Sequence, residues 1–146
     1  MKLHQLSLFL ENKPRQLRVP SKVLAAAGVD ILTLALADTQ QFGILRLIVQ
    51  DWEKARQVLE QAGCVVNVTE VVAIEVPDRP GGLDQILAVV EEADLNIEYM
   101  YSFTFHRGDR AILVIRFEDG DAAIAALQAN GINVIESVEL FKQAKA

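Results

Sequence analysis

The sequence predicts an α+β fold in which a βαββαβ module occurs twice, each copy a four-stranded antiparallel sheet with two helices on one face. Three observations carry that expectation: the chain repeats itself, its apolar periodicity switches between two and 3.6 residues, and capping residues recur at matched positions. Glu11-Asn12-Lys13-Pro14-Arg15-Gln16-Leu17 matches Pro77-Asp78-Arg79-Pro80-Gly81-Gly82-Leu83 at a shift of 66 (78 − 12). The same shift pairs Ala27-Gly28-Val29-Asp30-Ile31 with Ala93-Asp94-Leu95-Asn96-Ile97. Ile44-Leu45 then aligns with Ile112-Leu113 at a shift of 68 (112 − 44), which also pairs Asp51 with Asp119 and Gly63 with Gly131. A hairpin loop two residues longer in the second half produces that slip. The duplication divides the chain into modules 1–70 and 71–146 with no flexible linker.

Within each half the elements follow in order. Leu6, Leu8 and Leu10 alternate with Ser7, Phe9 and Glu11, as Val72, Ile74 and Val76 do with Ala73 and Glu75, so each half opens on a strand with distinct faces. A proline turn leads to a helix; in the second half Leu83, Ile86, Leu87 and Val90 form one apolar stripe at helical spacing. Pro20 falls where the second half has Ile86, so the first helix is expected to begin late, around Val19 to Ser21, keeping the proline in its first turn. Two strands follow in each half, residues 31–37 and 42–50 matched by 97–105 and 111–118. Asp38-Thr39-Gln40-Gln41 and His106-Arg107-Gly108-Asp109 supply the hairpins between them. Asp51 and Asp119 stand where a carboxylate caps a helix N-terminus, and Gly63 and Gly131 where a left-handed residue ends one. Strands at 64–69 and 132–138 close the halves. This is the ferredoxin-like plan, run twice.

Composition narrows the function. The 146 residues are 51% apolar with a formal charge of −6. That balance disfavours a nucleic-acid partner, whose binding rests on Lys and Arg neutralising phosphates. No apolar run approaches the ~20 residues of a membrane span, and Met1-Lys2-Leu3-His4-Gln5 reads as the lead-in to a strand, so a cytoplasmic protein is expected. Cys64 is the single cysteine and reads as a small buried residue. His4 and His106 lie too far apart in sequence to suggest a metal or catalytic pair, and no cofactor is expected. Phosphate-loop, nucleophile-elbow and H-E-x-x-H patterns are absent from the sequence. The acidic turn matches acylphosphatase poorly, and the C-x-x-C of metallochaperones with this plan is missing.

The first strand-to-helix turn is the informative segment. Val76-Pro77-Asp78-Arg79-Pro80-Gly81-Gly82-Leu83, a helix, and then Asp94-Leu95-Asn96-Ile97 closely resemble the ACT domain, in which a strand runs into D-x-P-G-x-L, a helix, and G-x-N-I at the second strand. Asn12-Lys13-Pro14-Arg15-Gln16-Leu17 and Gly28-Val29-Asp30-Ile31 resemble it in the first half. The resemblance covers nearly the whole chain as two copies and implies regulatory binding of an amino acid, often at an interface between modules. Physically, Gly81 and Gly82 let a ligand approach the backbone, and the N–H groups of a helix's first turn suit a carboxylate. Asp78 or Asn96 would accept hydrogen bonds from the ammonium group. Candidate ligand residues are therefore Asp78, Arg79, Gly81, Gly82, Leu83, Asn96, Ile97 and Tyr99, with Asn12, Lys13, Arg15, Gln16, Leu17 and Asp30 in the first half. The plainer alternative is that Pro-Gly-Gly is only a turn, Asp78 only a cap, and Asn96 only a turn residue.

The first half departs from the motif. Arg15 stands at the glycine position, so it either recognises an anionic part of a ligand or marks a half that has become structural. Tyr99, Tyr101, Phe103 and Phe105 alternate along one strand, as in base-stacking sheets. In an acidic chain without a basic stripe, packing is the favoured reading, with Tyr99 admitted to the site. Leu32, Leu34 and Leu36 are expected opposite Ile31, Thr33 and Ala35, a sheet apolar on one face and small on the other. Both faces being nonpolar favours module packing or a homodimer. Trp52, following a cap, is expected to anchor a helix start or an interface. The expected function is a non-enzymatic amino-acid sensor. A subunit regulating some enzyme by protein contact without ligand, or a small enzyme, are the alternatives.

Overall fold

A computed structural model describes residues 1–38, 41–103 and 108–144. The chain divides into two compact units, His4–Thr69 and Met1–Leu3 with Glu70–Ala146. In the first, β1 (Leu3–Glu11), α1 (Arg18–Ala26), β2 (Ile31–Asp38), β3 (Phe42–Val49) and α2 (Trp52–Gln61) lead into β4 (Val66–Pro77). In the second, β4 is followed by α3 (Gly82–Glu92), β5 (Ile97–Ser102), β6 (Arg110–Phe117), α4 (Gly120–Ala129), β7 (Val134–Ile135) and α5 (Ser137–Ala144).

Two features differ from the expected four-stranded sheets. Among the described residues the strands of the first unit are hydrogen-bonded in the order β2-β3-β1, and those of the second in the order β4-β6-β5 with β7 pairing β4. The strands expected at 64–69 and 72–76 are a single element, β4, of 12 residues. From Val66 to Val76 there is neither glycine nor proline and most residues are β-branched, so nothing in the backbone ends the strand at Glu70. The closing strand expected at 132–138 is only Val134–Ile135, because Ser137 starts α5, a helix with Glu139 in its first turn and Lys142 in its last.

The capping residues act as their types dictate. Asp51 accepts a hydrogen bond from Lys54 N at 3.2 Å and Asp119 one from Ala122 N at 3.1 Å. Gly63 (φ 89°) and Gly131 (φ 73°) take the left-handed conformation after α2 and α4. Helix α1 starts at Arg18, slightly before the expected Val19–Ser21, and Pro20 sits in its first turn, where no intrahelical bond needs its missing N–H. Trp52 stacks on His4, ring centroids 4.4 Å apart and 18° from parallel, anchoring the start of α2 to β1. Cys64 is half-buried, and desolvation pushes its thiol up.

Each unit has its own core. Leu6, Leu8, Leu45, Leu47 and Val49 from the sheet meet Leu24, Ala55 and Leu59 from α1 and α2. Val72, Ile74, Val76, Ile115 and Phe117 meet Ile86, Val90, Ala123 and Leu127 from α3 and α4. The strand alternation in the sequence thus identifies the helix-bearing face of β1, β3, β4 and β6.

The alternation fails on β2 and β5, for a local reason. The ladder shifts register between Ile31 and Thr33 and again between Ile97 and Tyr99. A bulge reverses the facing of residues on either side of it. Ile97 is level with core residue Phe117, whereas Tyr99 pairs with Arg116 and Tyr101 with Val114, on the face away from α3 and α4. Leu34 and Leu36 pair with Leu47 and Leu45 on the helix-bearing face, yet remain 52% and 53% exposed, while Leu32 is buried. Ile31 and Thr33 therefore do not share a face as expected. Residues 39–40 and 104–107 lie outside the described residues, and with them half of each expected hairpin, Phe105 and His106.

Candidate functional site

The two strand-to-helix turns are built from the same backbone hydrogen bonds. Asn12 N donates to Gln41 O at 2.9 Å, as Asp78 N does to Asp109 O at 3.0 Å. Lys13 N donates to Glu11 O at 2.9 Å and Arg79 N to Pro77 O at 3.0 Å. Gln16 N reaches Lys13 O at 3.5 Å, where Gly82 N reaches Arg79 O at 3.0 Å. The duplicated sequence thus folds into a duplicated turn, looser in the first copy.

Two residue types decide the difference. Gly81 takes φ 85°, and Arg15 at the same repeat position takes φ 76°. A non-glycine residue there costs roughly 1–2 kcal/mol, which the first turn bears and the second avoids. A Cβ on Gly82 would collide with the Pro77 carbonyl oxygen, whereas one on Gly81 would meet nothing within 4 Å. Gly81 is therefore required by torsion and Gly82 by contact. Gly81 is also the N-cap of α3 and offers no side-chain cap, while Asp84 places a carboxylate in the first turn of that helix.

Beside this turn lies a cleft of about 320 Å³, lined by Asp78, Arg79 and Leu83, by Val76 and Pro77 of β4, by Met100, Tyr101 and Ser102 of β5, and by Ala111 and Leu113 of β6. That volume is within the roughly 300–1,000 Å³ of small-molecule sites. Asp78 and Arg79 bring opposite charges to its rim, and Leu83, 40% exposed, offers apolar surface from α3. Met100, Ser102, Ala111 and Leu113 were not singled out in the sequence. The signal that finds them is register: Pro77 pairs with Arg110 and Leu113 with Ser102, so the β5–β6 hairpin end is level with the turn.

The same register separates Asn96, Ile97 and Tyr99 from the turn. Ile97 is level with Phe117, at the far end of β6 from Arg110. Phe117 is seven residues along the strand from Arg110, about 23 Å at ~3.3 Å per residue. There Asn96 donates from its side chain to Glu118 Oε2 at 3.4 Å. Within one unit these residues and Asp78 do not share a pocket.

The first-half candidates are dispersed in the same way. Asn12 and Lys13 line a recess with Glu11, Gln41 and Phe42, where Lys13 pairs with Glu11 at 2.9 Å and its ammonium is held above its usual range by that carboxylate. Arg15 faces a different recess, with Arg18, Val19 and Lys22. Gln16 is half-buried and Leu17 exposed. Asp30 lies at the start of β2, its carbonyl accepting from Gln50 N at 3.2 Å as that of Asn96 accepts from Glu118 N at 3.1 Å. Among the described residues no group of three His, Cys, Asp or Glu side chains is placed to hold a metal. Nor is any described helix long and apolar enough to cross a membrane.

Fold and turn together define an α+β protein with a duplicated strand–turn–helix device and a cleft beside one copy. The chain belongs to the family of ACT domain pairs, whose profile matches residues 1–144. A crystal structure of protein BT0572 from Bacteroides thetaiotaomicron is similar to it at 37% identity, covering 97% of each chain with a TM-score of 0.90. Its fold is also shared by the regulatory subunit of aspartate kinase from Thermus thermophilus, in ligand-free form, at 16% identity and TM-score 0.62, covering 86% of this chain and 91% of that one. Aspartate kinase from Synechocystis matches at 21% identity and TM-score 0.57, over 92% of this chain and 27% of that enzyme. No curated protein matches the sequence.

Proposed function

We propose that this ACT domain pair, with modules 1–70 and 71–146, is a non-enzymatic regulatory protein that binds an amino acid in the Asp78–Leu83 cleft. The observation that carries the reading is the rim: a carboxylate and a guanidinium on adjacent residues, beside the start of α3, whose N-cap is the side-chain-less Gly81. A zwitterion matches all three. Its carboxylate meets Arg79 and the positive end of α3, its ammonium meets Asp78, and its side chain lies along Leu83, Met100 and Leu113. Regulatory subunits and enzymes in which this fold occurs, including those of aspartate kinase, accord with a sensing role. The reading places the protein in the cytoplasm, with neither nucleic acid nor membrane as partner, acting on an enzyme through protein contact.

The test is titration calorimetry against the twenty amino acids. At least one binds, and Asp78→Ala lowers its affinity about tenfold or more, the cost of losing a charge-assisted hydrogen bond. Absence of binding at millimolar concentration would sink the sensor reading and leave regulation by protein contact alone.

The reading includes a homodimer through β5, an edge strand of the sheet. Antiparallel pairing of β5 with a second copy brings Asn96 and Ile97 of one subunit beside Ser102 and the turn of the other, completing a site that one unit leaves split. A ligand touching both subunits favours the paired state by its differential affinity. Met100 lies near the centre of that strand and is 39% exposed. Met100→Lys is expected to convert the dimer to monomer in sedimentation and to weaken ligand binding together with it. Leu36→Lys, on β2, an edge strand of the first unit, leaves both unchanged; the reverse pattern moves the interface to β2 and separates Asn96 from the site.

A further inference from the structure

The first unit carries a cationic recess that the amino-acid reading does not use. Arg15, Arg18 and Lys22, with Val19, line a cleft of about 270 Å³ at the start of α1. None of the three cations has an ion pair or side-chain hydrogen bond among the described residues, although the chain as a whole is acidic, with a net charge of −6. Elsewhere Lys2 pairs with Asp121 and Glu70, Lys13 with Glu11, Arg56 with Glu60, Arg110 with Glu75 and Arg116 with Glu98.

Self-compensation is absent here at every level. Arg18 and Lys22 are four residues apart on α1, a spacing at which like charges repel. The first turn of α1 has no acidic residue, and its N-cap, Leu17, makes no side-chain hydrogen bond. Arg15 adds a third charge from a left-handed position, φ 76°, where the second copy of the turn has Gly81. Three positive side chains thus line one small recess, with no ion-paired carboxylate among the described residues to neutralise them.

We propose that this recess binds a small organic anion carrying at least two negative charges, as carboxylates or as a phosphate. Two guanidinium groups offer planar, bidentate donors suited to either oxyanion, and Lys22 supplies a movable point charge. Val19 lets a short carbon skeleton lie against the helix. A zwitterion of no net charge would bring an ammonium into this field and is disfavoured, so the two turns of the pair select different chemistry. The recess is independent of the Asp78 cleft, and either site can fail without the other.

Titration calorimetry in low-salt buffer, with citrate, succinate, inorganic phosphate and pyrophosphate as separate probes, tests the proposal. At least one probe is expected to bind with a sub-millimolar dissociation constant, and the ranking of carboxylates against phosphates identifies the source of the charge. Arg15→Gly places in the first turn the residue the second turn already has, so it relaxes the backbone while removing one charge. It is expected to weaken binding about tenfold without lowering the melting temperature, and Arg18→Gln to do the same. Gly81→Ala leaves anion binding unchanged. Failure of all four probes to bind at millimolar concentration overturns the proposal, as does binding that Arg15→Gly and Arg18→Gln leave intact.

Discussion

Gly82→Val is expected to destabilise the Glu70–Ala146 unit by about 3 kcal/mol, a fall in melting temperature of roughly 10 °C. The cause is local. The Gly82 N–H bonds the Arg79 carbonyl at 3.0 Å, which draws the backbone so close to Pro77 that any Cβ meets its carbonyl oxygen. Backbone cannot give way as the end of a flexible side chain can, so β4 and α3 must separate or the turn must reopen. Gly81→Ala is the control: its Cβ meets nothing within 4 Å, and only the left-handed torsion is penalised, about 1 kcal/mol. Thermal unfolding of the two variants checks the difference. Equal effects would mean that torsion, not the contact with Pro77, governs this turn.

Phe117→Ala is expected to cost about 3–5 kcal/mol. Phe117 is 1% exposed at the end of β6, level with Ile97 and in the same core as Val72, Ile115, Ala123 and Leu127. Removing the ring leaves a cavity that strand and helix backbones cannot collapse to fill. At the matching repeat position the first unit has Val49, equally buried, and Val49→Ala removes far less volume, so about 2 kcal/mol is expected. Denaturant unfolding of both variants measures the pair. A cost below about 1 kcal/mol for Phe117→Ala would contradict its place in the core.

Much of the element order was legible because its signals are local. Asp51 and Asp119 cap helices through their own side chains, and Gly63 and Gly131 end them through their own torsions. Alternating Leu6-Leu8 and Val72-Ile74-Val76 needs only a strand with one buried face. The α5 helix was missed because Val134, Ile135 and Val138 read as a continuing strand, whereas Ser137 and Glu139 open a helix.

The site was legible only in part. Asp78, Arg79 and Leu83 were found because they adjoin Gly81 and Gly82 in the chain, and they do line a cleft. Met100, Ser102, Ala111 and Leu113 were not, because their nearness to the turn depends on which strand neighbours which and in what register. Asn96 and Ile97 were grouped with the turn by motif, and the register sets them at the far end of β5. A one-residue bulge at Ile97–Tyr99, invisible in composition, turned Tyr99 to the opposite face.

Arg15 and Gly81 mark the division between sequence and structure. By itself the sequence determined that the turn occurs twice and that its second copy has glycine where the first has arginine, because repeats, caps and torsional preferences are properties of neighbouring residues. Tertiary structure alone decided that Arg15 shares a recess with Arg18 and Lys22, that Asp78 shares one with Met100 and Ser102, and that β4 runs unbroken through Glu70. Those outcomes depend on strand order, register and the closing of the chain on itself, which hydrogen bonds between distant residues set and no local signal encodes.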